Sequence, residues 1–137
     1  ISTGAVYPKD VWQNYFDEAP KFNYGGLEYI DYYYVAQEIC KKNGSHLPSA
    51  NELAQIATAL YGETIGDSEY KFVRMKNQET VYAALGLTNY PSEFWLWSSV
   101  PYGTDDAYFR SFSSDDTSYW SKLTRNYEYV RVVCIGE

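Results

Sequence analysis

The sequence predicts an α+β domain in which two helices precede a small twisted antiparallel sheet with long loops. Two stretches in the first half repeat apolar residues at the helix period, whereas the chain after residue 93 alternates at period two. Its two cysteines, Cys40 and Cys134, fall in the last turn of the first helix and in the closing strand. A chain of 137 residues is expected to be a single domain, with residues 1–26 an extended N-terminal segment and 27–137 the core.

The elements follow in order. Residues 1–26 hold Pro8, Pro20 and the pair Gly25-Gly26, with Trp12, Tyr15, Phe16, Phe22 and Tyr24 between them. This reads as extended chain laid over the domain, with one short helical turn near Asp10–Phe16. From Tyr29 to Lys42, Tyr29, Tyr33, Ala36 and Cys40 form one helical stripe with Ile39 beside it, ending at Asn43-Gly44. The second helix is signalled by Ser49 and Glu52 at capping-box spacing, then Leu53, Ile56, Ala57 and Leu60 before Gly62. Residues 62–78 read as loop with a short strand at Tyr70–Val73, and Glu79–Leu85 as a short helix closed by Gly86. The sheet is expected from Phe94/Leu96, from Tyr108/Arg110 alternating with Ala107/Phe109, and from Val130/Val132/Cys134.

Composition narrows the function. A net charge of −7 and a pI near 4.6 argue against nucleic acid and anionic lipid as partners, both of which attract basic surfaces. No apolar run approaches the roughly 20 residues of a membrane span, so no membrane insertion by this segment is expected. Sixteen tyrosines, within 19% aromatic residues, are the outlying figure. Tyrosine supplies rigid amphipathic contact area at low entropic cost, as in antibody loops, although aromatic side chains also fill β-rich cores.

Two lone cysteines and one histidine, His46, do not make a zinc set. A disulfide is the better reading, with two buried free thiols as the alternative. Across the 94 positions between them, a bridge restricts the unfolded chain by about 4–5 kcal/mol and implies an oxidising compartment. Under that reading the location is extracellular or cell surface, and a targeting or anchoring segment is expected to have preceded Ile1 and been removed.

These pieces together resemble the C-type lectin-like fold, and more closely the bacterial family typified by the C-terminal domain of a Legionella collagen-like adhesin. The resemblance rests on the helix ending in Cys40, on Leu47-Pro48-Ser49 leading to Glu52-Leu53, and on Trp97-Ser98-Ser99. It continues through Ala107-Tyr108 to Phe112 and closes on Tyr129-Val130-Arg131-Val132-Val133-Cys134, covering Tyr29 to Glu137. It implies a disulfide tying the first helix to the last strand and a ligand surface on the loops and short strands from Tyr90 to Tyr129. The Glu-Pro-Asn or Gln-Pro-Asp loop, the Trp-Asn-Asp triplet and the second disulfide of calcium-dependent lectins are missing, so sugar specificity does not transfer. Asp105-Asp106 and Asp115-Asp116 offer oxygen ligands, but adjacent carboxylates in polar loops are usually just solvated, and no metal or other cofactor is expected.

A narrower resemblance is to variable proteins of diversity-generating retroelements, lectin-like domains whose C-terminal surface positions are rewritten to residues such as Tyr, Ser, Asp and Asn. Here the matching positions are Tyr102, Thr104, Asp105, Asp106, Tyr108, Ser114, Asp115, Asp116, Ser118, Tyr119, Asn126 and Tyr127. Tyr119 and Trp120 are the expected anchors, with Tyr102, Tyr108 and Tyr127 around them. Arg110 is expected to reach an acidic ligand group or to pair with Asp106, and Trp95 and Trp97 to share a core-facing sheet side.

Catalysis is not expected. The chain lacks a nucleophile–base pair, a metal set and a Gly-rich phosphate loop, and His46 reads as structural. The expected function is a secreted or cell-surface adhesin or receptor-type domain that recognises a protein or glycan ligand on another cell or surface. The alternative is the soluble subunit of a pilin-like filament, with residues 1–26 contacting an assembly partner.

Overall fold

A computed structural model describes residues 5–114 and 117–136. After Val6, a single helical turn, α1 (Pro8–Val11), starts on proline, whose fixed φ and missing N–H suit a first helical position. A 3-10 turn follows at Trp12–Asn14. Strands β1 (Lys21–Tyr24) and β2 (Leu27–Ile30) then form a hairpin. Its two-residue turn is Gly25-Gly26, with φ of +59° and +82°, the doubly left-handed geometry that matches strand twist and that glycine adopts at no steric cost.

Helix α2 (Tyr32–Lys42) begins three residues later than the apolar stripe predicts. Tyr29 belongs to β2, paired with Phe22, because Asp31 stops the strand and caps the helix by accepting from the Tyr34 N–H at 2.8 Å. The next two free helix N–H groups, of Tyr32 and Tyr33, donate to the Arg125 carbonyl, and the Arg125 side chain grips Asp31 at 2.9 and 3.0 Å. At the other end Cys40 is bonded to Cys134, as expected. Beside the disulfide, β3 (Ser45–His46) pairs with β8 (Ile135–Gly136).

Helix α3 (Ala50–Tyr61) has the complete capping box: Glu52 N–H donates to Ser49 Oγ at 3.1 Å, and Ser49 N–H donates to Glu52 Oε1 at 2.8 Å. Burial alone would raise the Glu52 pKa, but the Ser49 N–H and His46, whose Nε2 lies 3.0 Å away, hold it below its ordinary value. Gly62, at φ +74°, ends α3, and Gly86 likewise ends α4 (Gln78–Leu85).

The main sheet has the order β4 (Lys71–Phe72), β7 (Thr117–Thr124), β6 (Asp106–Ser113), β5 (Glu93–Tyr102), all antiparallel. Both faces are covered. Phe94, Leu96 and Phe112 pack against Leu53, Leu60 and Tyr61 of α3 and Tyr82 and Leu85 of α4. Trp97, Ala107 and Phe109 pack against Tyr33, Val35, Ala36 and Ile39 of α2. Period-two alternation therefore sends each strand's residues into two cores rather than into one core and solvent. Trp95 and Trp97 share the α2 side, as expected.

The closing run differs from its predicted form. Residues 130–134 are not a regular strand of the sheet but a connector threaded between β5 and the N-terminal segment. Arg131 exchanges backbone bonds with Trp95 and Trp97, in parallel with β5, and Val132 exchanges bonds with Val6. Alternation alone cannot distinguish this bridging path from a regular antiparallel strand, since Val130, Val132 and Cys134 still share one core while Val133 enters the other.

Tyr33 is fully buried, sets its ring edge-on to Trp97 at 5.2 Å and donates its hydroxyl to the Ser98 carbonyl at 2.8 Å. Burial pushes its pKa up to about 12, with Asp31 adding to and Arg125 opposing the shift. The unfolded chain releases this proton near pH 10.0, so between there and pH 12 the folded state binds more protons and stability falls as pH rises. Tyr33→Phe is expected to flatten that alkaline decline in pH-dependent urea melts while costing about 1 kcal/mol at neutral pH through the lost hydrogen bond. Reduction of Cys40–Cys134, or the paired Cys40→Ser and Cys134→Ser change, is expected to lower unfolding free energy by up to about 4–5 kcal/mol. An unchanged Tm under reductant, with free thiols verified by mass spectrometry, would contradict the bridge.

Candidate binding surface

The β5–β6 turn and the adjoining strands build an aromatic strip in which Tyr102 is exposed and Tyr108 and Trp120 are half-buried, Trp120 against the α3-side core. Register places Asp106 opposite both Tyr102 and Thr124, Tyr108 opposite Lys122, and Arg110 opposite Trp120, all on one side of the sheet. Diagonal neighbours Tyr108 and Trp120 stack with centroids 4.9 Å apart and planes within 5°. Tyr102 meets Tyr108 edge-on at 5.6 Å, and Lys122 Nζ stands 3.8 Å from the Tyr102 centroid. One ring thus orients the next, and Lys122 places a positive charge on the end of the row.

Beside this strip lies a cleft of about 340 Å3 lined by Tyr24, Tyr102, Gly103, Thr104, Asp105 and Asp106. Gly103, at φ +63°, lets the turn close, and Thr104 donates to Asp105 Oδ1 at 3.3 Å. The Asp105 carbonyl accepts from the Arg125 N–H at 2.9 Å, which ties the turn to the residue that holds α2. Tyr24, from the β1–β2 hairpin tip, supplies the opposite wall. Tyr24 and Tyr102 are 44% and 47% exposed, so both rings are open to a partner.

Only part of the predicted surface is brought together. Tyr102, Thr104, Asp105, Asp106, Tyr108 and Trp120 share this end of the sheet. Ser114 lies beyond the other end of β6, roughly 25 Å away at the usual rise per residue, with its N–H on the Ser92 carbonyl. Asp115 and Asp116 lie outside the described residues. Among the described residues no group of three or more His, Cys, Asp or Glu side chains is placed to hold a metal ion.

Three expectations need correction. Arg110 is fully buried and reaches neither solvent nor Asp106: it donates to Ser118 Oγ at 3.0 Å, to the Glu69 carbonyl at 2.8 Å and to the Asp67 carbonyl at 3.4 Å. Burial draws its pKa below the usual arginine range. Its partner Ser118 is equally buried and donates to the Ser111 carbonyl, so both fasten the loop before β4 to the sheet. Tyr119 and Trp120 cannot anchor one ligand together, because consecutive strand residues point to opposite faces. Tyr119 stacks on Tyr70 at 5.8 Å and sets its edge to Phe109. Tyr127 belongs to a third group, against Trp95 at 5.4 Å, and Asn126 is half-buried in the turn before it.

Sequence reasoning missed Lys122 and Tyr24. Lys122 was recoverable, since it lies two residues after Trp120 on the same strand face; Tyr24 was not, because its position depends on how the hairpin docks. The exposed pair Tyr70 and Phe72, at 56% and 73%, falls in the short strand expected at Tyr70–Val73 and observed, over Lys71–Phe72, as β4.

Compared with protein-family models, curated proteins and solved structures, the chain matches none of them.

The role given to Arg110 has a direct test. Arg110→Ala is expected to destabilise the fold by about 2–4 kcal/mol, because it strands the buried Ser118 hydroxyl and two carbonyls. Exposed Lys122→Ala should cost no more than about 0.5 kcal/mol. Urea melts of both proteins make the comparison, and a near-neutral Arg110→Ala would return that residue to the list of ligand contacts.

Proposed function

We propose that this chain is a ligand-binding domain of an exported protein, of adhesin or receptor type, that grips a protein or glycan partner through the Tyr102–Tyr108–Trp120 strip. The observation that carries this reading is the half-buried stack of Tyr108 on Trp120, continued by the exposed Tyr102 and flanked by Lys122, Asp105 and Asp106. Aromatic residues dominate binding hot spots, and rings already held by their neighbours lose little freedom when a partner covers them. The mixed charge at the rim supplies direction and specificity rather than bulk affinity.

The disulfide is compatible with an extracellular location. No described helix is long and apolar enough to cross a membrane. The lectin-like reading of the architecture draws support from the first long helix being bridged to the closing segment, beside a small antiparallel sheet. The pilin-type reading has less to work with. Trp12, Tyr15 and Phe16, which it needs for contacts between subunits, are half-buried against the domain's own α2-side core.

The test is retention of the purified, oxidised domain on immobilised glycans and on immobilised surface-protein extract. Tyr102→Ala and Tyr108→Ala are each expected to weaken the captured interaction by about tenfold, a hot-spot loss of about 1.4 kcal/mol, with Tm nearly unchanged. Codon differences among copies of the locus are expected to concentrate in the same strip. Binding that survives both substitutions would remove the strip from the function.

A further inference from the structure

A second aromatic cleft lies away from the strip, where the closing segment crosses β5. It has a volume of about 270 Å3 and is lined by Tyr7, Glu93, Phe94, Trp95, Tyr127 and Tyr129. The ring planes of Tyr7 and Tyr129 meet at 87°, and those of Tyr127 and Tyr129 at 80°, with centroids 6.4 and 6.2 Å apart. Trp95 continues the row, 5.4 Å from Tyr127. The three tyrosines meet nearly at right angles and Trp95 is tilted 35° to Tyr127, so the row turns around the cleft rather than making one flat platform.

Charge is distributed unevenly along the row. Glu93, two residues before Trp95 in β5 and therefore on the same strand face, is exposed at the Trp95 end. At the Tyr7 end stand two cations: Lys9 Nζ is 4.9 Å from the Tyr129 centroid and 5.9 Å from that of Tyr7, and the Arg131 guanidinium is 4.5 Å from Tyr7. Neither Lys9 nor Arg131 lines the cleft itself.

The geometry points to a binding site for a small zwitterion that joins a methylated ammonium to an anionic group, of the betaine or phosphocholine kind. Ring faces attract cations through their quadrupole, tryptophan most strongly, and a quaternary ammonium is the cation that needs no hydrogen-bond acceptors. A primary ammonium, by contrast, carries three donors, and Glu93 is the one charged acceptor in this lining. The ammonium sits against Trp95 and Tyr127, with Glu93 as counter-charge. The anionic group lies toward Lys9 and Arg131, which would repel a lone cation from that end. The volume falls just short of the roughly 300–1,000 Å3 usual for drug-sized ligands, which limits the occupant to a small molecule or the headgroup of a larger one.

The test is calorimetric titration of the oxidised domain with phosphocholine and glycine betaine, beside choline, inorganic phosphate and methyl glucoside. Saturable one-site binding of both zwitterions is expected, with choline weaker and no binding of phosphate or the glycoside. Trp95→Ala should weaken the zwitterions by about tenfold. Since Trp95 also packs on Phe109, the exposed Glu93→Gln is the second variant, expected to weaken them by about two- to fivefold without disturbing the fold. Lys9→Ala should reverse sign between ligands, weakening phosphocholine while strengthening choline. Co-flotation with phosphatidylcholine vesicles would identify a lipid headgroup as the source, and binding of the soluble zwitterions alone would identify a free small molecule. Absence of saturable binding by both zwitterions, affinity unchanged in Glu93→Gln and Trp95→Ala, or equal binding of phosphate or methyl glucoside would overturn the assignment.

Discussion

Helix α2 is held at both ends by residues from the far end of the chain, and much of the molecule hangs on that double attachment. Cys134 is bonded to Cys40 in its last turn. At its first turn Arg125 contributes a paired side chain to Asp31 and a carbonyl to two helix N–H groups. A carboxylate bound through two of its oxygens by a half-buried guanidinium is one of the stronger polar contacts a protein surface offers. Between the two attachments the chain runs between β5 and the N-terminal segment, bonded to them at Arg131 and Val132.

Both aromatic clefts inherit their geometry from this arrangement. The Arg125 N–H also holds the Asp105 carbonyl, so the turn that carries Tyr102 and Thr104 is referenced to α2. On the other side, the backbone exchange of Arg131 with Trp95 and Trp97 places Tyr127 and Tyr129 over β5. Rings positioned by covalent and ionic ties, rather than by flexible loops, present contact area with little ordering left to do on binding. The two surfaces differ in chemistry. The strip is a stacked row with carboxylates and a lysine at its edge, whereas the second cleft is walled by rings set at several angles with opposite charges at its two ends.

Local signals in the sequence were dependable where the physics is local. Ser49 and Glu52 satisfy each other's end of α3 within four residues, and Gly62 and Gly86 take left-handed conformations that stop their helices, so these boundaries were legible. Period-two spacing assigned Phe94, Leu96 and Trp97 to buried faces because a strand has only two faces. The reading faltered where a choice depended on distant chain. Tyr29 fits a helical stripe, yet Asp31 is claimed by Arg125 and the preceding residues pair with Lys21–Tyr24 instead. Arg110 looked like a surface charge because nothing near it in sequence announces the Asp67 and Glu69 carbonyls that receive it. Tyr119 and Trp120 were grouped as neighbours although strand alternation separates them, and that error was avoidable from sequence alone.

By itself, the sequence determined the α+β class, the helix caps, the alternation of the strands and an aromatic content well beyond what a core of this size requires. These follow from short-range sterics, hydrogen bonding and periodicity, which act within a turn or a strand. Tertiary structure alone decided which rings meet. The division of one tyrosine-rich region into the Tyr102–Tyr108–Trp120 strip, the stack of Tyr119 on Tyr70 and a separate cleft depends on strand register and on the path of residues 125–134. That path is set by contacts to Val6, Asp31, Cys40 and Trp95, partners far from it and from one another in sequence.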